Sequence, residues 1–185
     1  MASHSPASTA ARPAPQSDIP TYEAIVVGGG ISGMYLTYRL RELGVNFHVF
    51  EAGSDVGGTW YWCRYPGARF DSESWTYGYF FDEELLQEWE WKEHFSPQPD
   101  TLEYLNHVAD KYDFRRDMTF NAKVVAAEFD DAANQWTVTF EDGGQARATL
   151  LITGLGVLSA PTLPNIPGLE DFQGQSFHTA RWPHE

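Results

Sequence analysis

Three glycines near the start of the chain have the type and spacing to hold a phosphate. Gly28, Gly30 and Gly33 follow the pattern G-x-G-x-x-G, between an apolar run at 24–27 and an amphipathic segment that begins at Ile31. The first glycine permits a tight turn, the second lets a diphosphate approach the backbone, and the third allows close helix–strand packing. Free N–H groups at the helix N-terminus add a partial positive charge. The pattern predicts a dinucleotide-binding turn.

An acidic residue follows this turn at the distance that such sites require. Glu51 lies 18 residues after Gly33, at the end of a second apolar run that contains Val45, Phe47 and Val49. A carboxylate there can accept hydrogen bonds from an adenosine ribose and would repel a 2′-phosphate. The acid favours FAD or NAD over NADP at this site. An ordinary strand–helix turn is the alternative interpretation of the glycines taken alone.

A second glycine pattern, "GLGVLS" at 154–159, is a weaker candidate. Prolines follow it at 161, 164 and 167, so no helix can begin there and offer its N-terminus. We expect Gly154 and Gly156 to allow close backbone approach after a core strand, beside the same cofactor.

The stretch "GGTWYWCRYPGARFDSES" at 57–74 concentrates aromatic rings, arginines and an aspartate within a few residues. It is too interrupted for a helix and too aromatic for an ordinary loop. Its tryptophans and tyrosines could be plain core, because aromatic side chains dominate core burial. Asp71 could be a helix cap or a turn residue, since "DSES" begins there. The alternative is that rings and charges together line a site.

The elements that must position these residues are predicted as α/β, in a Rossmann-like domain with a parallel sheet, helices and a β-hairpin insertion. The predicted strands are 24–27, 45–51, 123–129, 135–140 and 146–153. Helices are predicted at 31–43, 82–95 and 96–114, with Asp100 or Thr101 capping the last. The domain boundaries predicted are a disordered Ala/Ser/Pro-rich tail at 1–20, a cofactor-binding domain at 21–171 and a linker at 172–185.

Composition excludes several classes of function. The 185 residues carry a formal charge of −14, which argues against nucleic acid or an anionic membrane as partner. The histidines have no metal-ligand spacing with one another or with the single cysteine, Cys63, so no metal site is predicted. One cysteine forms no internal disulfide, and a reducing, cytoplasmic compartment fits. No apolar run is long enough to span a bilayer.

Two longer motifs carry a family resemblance. Residues 57–71 follow G-G-x-W-x-x-x-x-Y-P-G-x-x-x-D, and residues 172–183 follow F-x-G-x-x-x-H-x-x-x-W-P. Both resemble signatures of Baeyer–Villiger monooxygenases, in the branch acting on phenylacetone, steroids and large cyclic ketones. The resemblance implies an enzyme with FAD and NADPH domains that inserts one atom of O₂ beside a ketone carbonyl, through a C4a-peroxyflavin. The products would be esters or lactones.

The resemblance also implies roles for individual residues. Asp71 would sit by the flavin and orient a catalytic arginine, and Arg69 and Phe70 would join it in approaching the nicotinamide cofactor. The implied cofactor-binding residues are Gly28, Gly30, Ile31, Ser32, Gly33, Glu51, Gly58, Thr59, Trp60, Tyr61, Trp62, Arg69, Phe70, Asp71, Tyr77 and Val124. His178 is expected to tie a linker between domains, and Cys63 to be an inert thiol.

The catalytic arginine and the NADPH glycine motif are expected beyond Glu185, so the expected partners are a ketone, O₂ and the C-terminal remainder of the same enzyme. This segment alone is expected to be inactive. Two other hypotheses remain open: an N- or S-oxygenating flavin monooxygenase, and a non-catalytic FAD-binding module. A nicotinamide-dependent dehydrogenase is a distant third, because 57–71 would have no purpose there.

Overall fold

The computed structural model describes residues 19–183, and most of the predicted 1–20 tail lies outside this range. Six strands form one mixed sheet. They are β1 (Thr21–Val27), β2 (Phe47–Phe50), β3 (Met118–Thr119), β4 (Val124–Asp130), β5 (Gln135–Phe140) and β6 (Gln145–Thr153). The α-helices are α1 (Ile31–Glu42), α2 (Thr59–Trp62), α3 (Glu83–Glu88) and α4 (Gln98–Lys111). Short 3₁₀ turns occupy Ser74–Thr76, Phe114–Asp117 and Thr179–Arg181.

The sheet has the order β3-β2-β1-β6-β5-β4, and its β3-β2-β1-β6 half is parallel. The β1–α1–β2 unit is the predicted βαβ unit, so the α/β fold is confirmed. The strands β4, β5 and β6 form an antiparallel meander, with the predicted hairpin between β4 and β5. Ala148 pairs with Tyr22 of β1 and with Trp136 of β5, so β6 joins the two halves.

Both faces of the parallel half are covered, which explains the continuous apolar run of β1. On one face, Val26 and Val49 join a cluster with Met34 of α1 and Val108 of α4. On the other face, Ile25 and its neighbours pack against the meander, where the rings of Phe50 and Phe140 lie 4.5 Å apart. Strands buried on both faces need apolar side chains at successive positions.

Three details of the predicted helices are wrong. The helix expected at 82–95 ends at Glu88, because Trp89 and Trp91 turn inward to pack beside Tyr104 of α4. The next helix begins at Gln98 and is capped at Pro97 rather than at Asp100 or Thr101. A proline tolerates this position because its missing N–H is not needed in the first turn.

The third error concerns 57–74, which contains the one-turn helix α2. Its aromatic sequence folds this way because α4 supports it: the Gln98 side-chain amide donates to the carbonyl of Trp60 at 2.5 Å. The predicted strands also miss β3, a two-residue strand too short to leave a periodic pattern in the sequence.

Candidate functional site

The glycine-rich turn has the geometry of an anion cradle. α1 begins directly after it, and Gly30 caps that helix without a side-chain hydrogen bond, so its first N–H groups face outward. A Cβ on Gly33 would lie 1.8 Å from the carbonyl oxygen of Gly28. A Cβ on Gly28 would lie 2.7 Å from the carbonyl oxygen of Gly154. The predicted close approach at Gly154 is confirmed, whereas Gly156 meets nothing within 4 Å.

Glu51 is buried at the end of β2 and holds two loops together. Its Oε2 accepts from the N–H of Gly29 at 2.5 Å, and its Oε1 accepts from the N–H of Gly53 at 2.6 Å. A carboxylate has about four acceptor sites, so two hydrogen bonds leave capacity for a ribose hydroxyl. Glu51 therefore positions the glycine-rich turn as well as lining the cavity above it.

The turn and the 57–74 stretch meet backbone to backbone. The N–H of Gly57 donates to the carbonyl of Gly29 at 3.2 Å. A Cβ on Gly58, whose φ is +52°, would lie 2.8 Å from the Cα of Gly30. The glycine pair that opens the stretch thus places α2 directly against the cradle.

A cavity of about 720 Å³ runs along this junction. It passes from Glu51 and the meander, across the glycine-rich turn, to α2 and the segment after β6. Its walls include the following predicted or neighbouring residues: Gly28, Gly30, Ile31, Ser32, Glu51, Gly58, Thr59, Trp62, Lys123, Val124, Glu141, Gly154, Leu158 and Arg181. Its volume lies in the range of small-molecule and cofactor sites.

A second cavity of about 720 Å³ also borders α2, where Thr59 and Trp60 line it. Its wall contains a cluster of rings in which Phe70 stacks on Tyr77 with centroids 4.3 Å apart, and Trp60 meets both edge-on. The indole Nε1–H of Trp60 donates to the Tyr77 hydroxyl at 2.8 Å. Burial raises the pKa of Tyr77. Its hydroxyl is protonated at neutral pH, as an unperturbed tyrosine also is, and can donate a hydrogen bond to a ligand.

Arg69 and Asp71 of the stretch also line this second cavity. Arg69 forms an ion pair with Glu93 at 3.0 Å and donates to the carbonyl of Phe95. Asp71 is exposed, and among residues 19–183 its carboxylate has no hydrogen bond or ion pair. The helix-cap interpretation of Asp71 is wrong, because Glu73 occupies the cap position of the turn at Ser74–Thr76.

The two cavities share Thr59, Cys63 and Leu158. The structure therefore brings most of the predicted site residues to one continuous region. Tyr61 differs, because it lines neither cavity and its hydroxyl instead hydrogen-bonds Ser54 at 2.8 Å. Gly33 also lies outside the walls, where it permits the packing of α1 on the turn.

Sequence reasoning gave no site role to Lys123, Glu141 or Arg181, which line the first cavity. Lys123 and Glu141 form an ion pair at 2.7 Å across the meander, and only the register of those strands brings them together. Arg181 lies within the second long motif, beside the expected linker residue His178. Its place in that motif was the only feature of the sequence that could have pointed to Arg181.

Cys63 is buried, and burial raises the pKa of its thiol, with the positive charge of Arg181 acting in the opposite direction. A thiol with a raised pKa is a poor nucleophile, which agrees with the expectation of an inert cysteine; its inertness stays a prediction. His178 accepts a hydrogen bond at Nδ1 from the N–H of Ala180 and so caps the turn at Thr179–Arg181.

Within 19–183, no group of three or more His, Cys, Asp or Glu side chains could hold a metal ion. None of the helices in the same range is long and apolar enough to cross a membrane.

Comparisons with known proteins agree with this geometry. A family model described as an NAD(P)-binding Rossmann-like domain matches residues 26–80. Acetone monooxygenase (methyl acetate-forming) of Gordonia sp. (strain TY-5) is 48% identical over 89% of this chain and 31% of its own length. A Baeyer–Villiger monooxygenase of Pseudooceanicola batsensis is 45% identical, and a phenazine N-monooxygenase of Lysobacter antibioticus is 42% identical. Each of these two matches covers 88% of this chain and 30% of the relative.

A solved structure, OTEMO in complex with FAD and NADP, superposes with a TM-score of 0.83 at 43% identity. The match covers 90% of this chain and 31% of that one. The chain thus spans about 30% of the length of the curated relatives that it matches. Over that length, the chain is homologous to the N-terminal region of Baeyer–Villiger monooxygenases and shares their Rossmann-like dinucleotide-binding fold.

Proposed function

We propose that this chain forms the FAD site of a Baeyer–Villiger monooxygenase that uses NADPH and O₂ to convert a ketone into an ester or lactone. One observation carries the proposal: the cavity over the phosphate cradle and the ring-lined cavity both border α2 and share Thr59, Cys63 and Leu158. A cradle alone fits any dinucleotide enzyme. A second, aromatic cavity joined to it fits an enzyme whose cofactor must face a second cofactor.

The residues present fit FAD in the first cavity. Gly28 and Gly30 leave the cradle free of side chains, and α1 offers its unpaired N–H groups to a diphosphate. Glu51 retains acceptor capacity for the adenosine ribose, beside Val124. Ile31, Ser32, Gly58, Thr59 and Trp62 would form the remaining walls. When bound, the flavin supplies the redox chemistry that activates O₂, and the protein supplies binding, orientation and exclusion of water.

The second cavity fits the nicotinamide side of the reaction. Tyr77 can donate a hydrogen bond there, and Trp60 and Phe70 provide an apolar wall that keeps water away. Asp71 has a free carboxylate with which to hold an arginine through a charge-assisted pair. Arg69 would add a cation at the rim of this cavity.

We further propose the division of the chain into an FAD-binding part at 21–171 and a linker at 172–185, completed by further chain of the same enzyme. The segment after β6 supports this, since it exposes an apolar surface consisting of Leu155, Val157, Leu158, Leu163, Ile166, Leu169, Phe172 and Phe177. So many exposed apolar side chains on consecutive loops are typical of a surface that another element covers. A buried, unpaired Cys63 fits a cytoplasmic location.

The test compares the 185-residue chain with a natural polypeptide in which the same sequence continues. We expect flavin absorbance to co-purify with the longer polypeptide, and NADPH oxidation to depend on added phenylacetone and to yield an ester. A longer polypeptide that holds no flavin, or that oxidises no NADPH with any ketone, would contradict the proposal and favour the non-catalytic FAD-binding module.

N-oxygenation is the second candidate, because a phenazine N-monooxygenase matches the same region at 42% identity. The same longer polypeptide would then be assayed with phenazine in place of the ketone. N-oxide formation without ester formation would replace the ketone assignment with this alternative.

A further inference from the structure

Arg181 lines the first cavity, and the proposed FAD site gives it no role. Its side chain lies close to α2. Its guanidinium carbon lies 5.5 Å from the ring centroid of Trp62, which lines the same cavity. One guanidinium N–H of Arg181 donates to the carbonyl of Ala180 at 3.2 Å. A guanidinium stacked on a ring keeps its remaining N–H donors at the edge of the plane available for another acceptor.

The backbone holds Arg181 in place independently of any ligand. Its own N–H donates to the carbonyl of His178 at 2.8 Å, and the imidazole of His178 caps the turn through the N–H of Ala180. Ala180, the middle residue of this turn, is buried. An exposed arginine is thus mounted on a capped and anchored turn, with its head group directed along Trp62.

The charge of Arg181 is uncompensated in a strongly acidic protein. Lys123, the other cation in the cavity wall, is neutralised by Glu141 at 2.7 Å. By contrast, no carboxylate within 19–183 lies within ion-pair distance of Arg181, although the chain has 26 acidic residues. Glu51, the other acid in this wall, accepts hydrogen bonds from two backbone N–H groups and does not pair with Arg181.

We infer that Arg181 is a cofactor-binding residue that donates to an acceptor oxygen of the dinucleotide held in this cavity. The inference rests on the proposed FAD site and gives that site a second oxygen-binding group besides the N-terminus of α1. The acceptor is either an anionic oxygen of the diphosphate or a carbonyl oxygen of the flavin ring. Because Arg181 sits in the linker motif, the same contact would couple occupation of the cavity to the position of the linker.

The test measures binding to the full 185-residue chain by calorimetry, with FAD and with ADP, which has the diphosphate but no flavin. We expect Arg181→Gln to weaken FAD binding about tenfold or more, the effect of losing a hydrogen bond to a charged group. Arg147→Gln is the charge-matched control: Arg147 is exposed on β6, lines neither cavity, and has no ion pair within 19–183. The control should change FAD affinity by less than about twofold.

The comparison of FAD with ADP shows which part of the cofactor accepts the hydrogen bond from Arg181. An equal loss of FAD and ADP binding in Arg181→Gln would assign the contact to the diphosphate, and a loss confined to FAD would assign it to the flavin ring. Arg181→Met, which retains packing on Trp62 without the charge, should lose as much FAD affinity as Arg181→Gln.

If either folded variant, checked by circular dichroism, binds FAD as tightly as Arg147→Gln, the inference is wrong while the FAD site stands. If the wild-type chain binds neither FAD nor ADP, and the longer polypeptide also lacks flavin, the proposed function and the inference fail together. A wild-type chain that binds FAD, followed by loss in both Arg181 variants, supports both.

Discussion

Gly30 and Gly58 are packed so closely that a methyl group on either would touch the backbone of the other. The gap is 2.8 Å from a Cβ at Gly58 to the Cα of Gly30, and 3.2 Å in the reverse direction. Gly30, the second glycine of the phosphate-binding pattern, is therefore packed on its Cβ side against Gly58, the residue directly before α2. This contact fixes the distance between the cradle and the aromatic wall.

We predict that Gly58→Ala destabilises the fold more than Gly67→Ala does. Both glycines have positive φ, so both substitutions carry a backbone cost of about 1–2 kcal/mol. Only Gly58 adds a clash, because a Cβ at Gly67 meets nothing within 4 Å. Overpacking adds about 1–3 kcal/mol, measured as the free energy of unfolding in urea. Equal losses in the two variants would show that the contact between the glycines is slack.

Glu51→Gln should also destabilise the protein, by about 1–3 kcal/mol, because the amide offers an N–H₂ group to a backbone N–H that needs an acceptor. Glu141→Gln is the control, since Glu141 lines the same cavity but pairs with Lys123 at an exposed position. Urea unfolding of the two variants checks the prediction. If Glu51→Gln were no less stable than Glu141→Gln, the link between the two loops would be unimportant for folding.

Tyr77→Phe removes the acceptor of the Trp60 indole N–H and leaves that buried donor unpaired. We expect a loss of about 1–2 kcal/mol in the free energy of unfolding and a shift of the tryptophan emission spectrum. Tyr35→Phe provides the comparison, because Tyr35 is exposed and no side-chain hydrogen bond of its hydroxyl is present within 19–183. Indistinguishable stability of the two variants would argue that water replaces the lost acceptor.

The stability of the fold should fall at alkaline pH. Burial raises the pKa of Tyr104 to about 12. The pKa of Tyr79 is raised well above 10, and burial is again the largest cause. Above pH 10 an unfolded tyrosine loses its proton while the folded one keeps it, so the unfolded state binds fewer protons and stability decreases. The contribution of Tyr104 is complete below pH 10 and is lost as the pH rises towards about 12.

Urea unfolding at a series of pH values from 9 upwards checks this direction. The slope should approach about 1.4 kcal/mol per pH unit for each such tyrosine. Tyr104→Phe should be less stable at neutral pH, because the N–H of Tyr79 loses its acceptor, but should show a shallower alkaline decline. A decline as steep as that of the wild type would assign the effect to other groups.

The βαβ unit was predictable because its signals are local. The apolar run of β1, the glycine spacing and the helical period of α1 all lie within about 30 residues, and the structure retains each of them. The error at 82–95 has the opposite origin. Trp89 and Trp91 continue a plausible helical pattern, but packing on Tyr104 is stronger than local propensity and turns the chain inward.

The candidate site divides in the same way. Residue type and spacing were enough to predict the glycines, Glu51 and the aromatic stretch. The parts of the cavity walls that these N-terminal residues form could therefore be anticipated. Lys123 could not be anticipated, because only strand register brings it to the cavity. Arg181 had no signal except its place in the second long motif, because a linker turn brings it to the cavity from a distant part of the chain. The double hydrogen bonding of Glu51 to its own loops leaves no sequence signal at all.

The central position of β6 has a consequence for the order of events during folding. Thr21 at the start of β1 pairs with Arg147 of β6, and all four α-helices of residues 19–183 lie between them in the sequence. The β6 strand also completes the meander. The βαβ unit can therefore be synthesised early but stays open along one edge of β1 until β6 arrives. Pairings between such distant segments close slowly, because the entropy of the intervening loop is lost first. During that interval the nascent chain can form wrong strand pairings at the exposed edge of β1. A chaperone would bind the nascent chain at this edge.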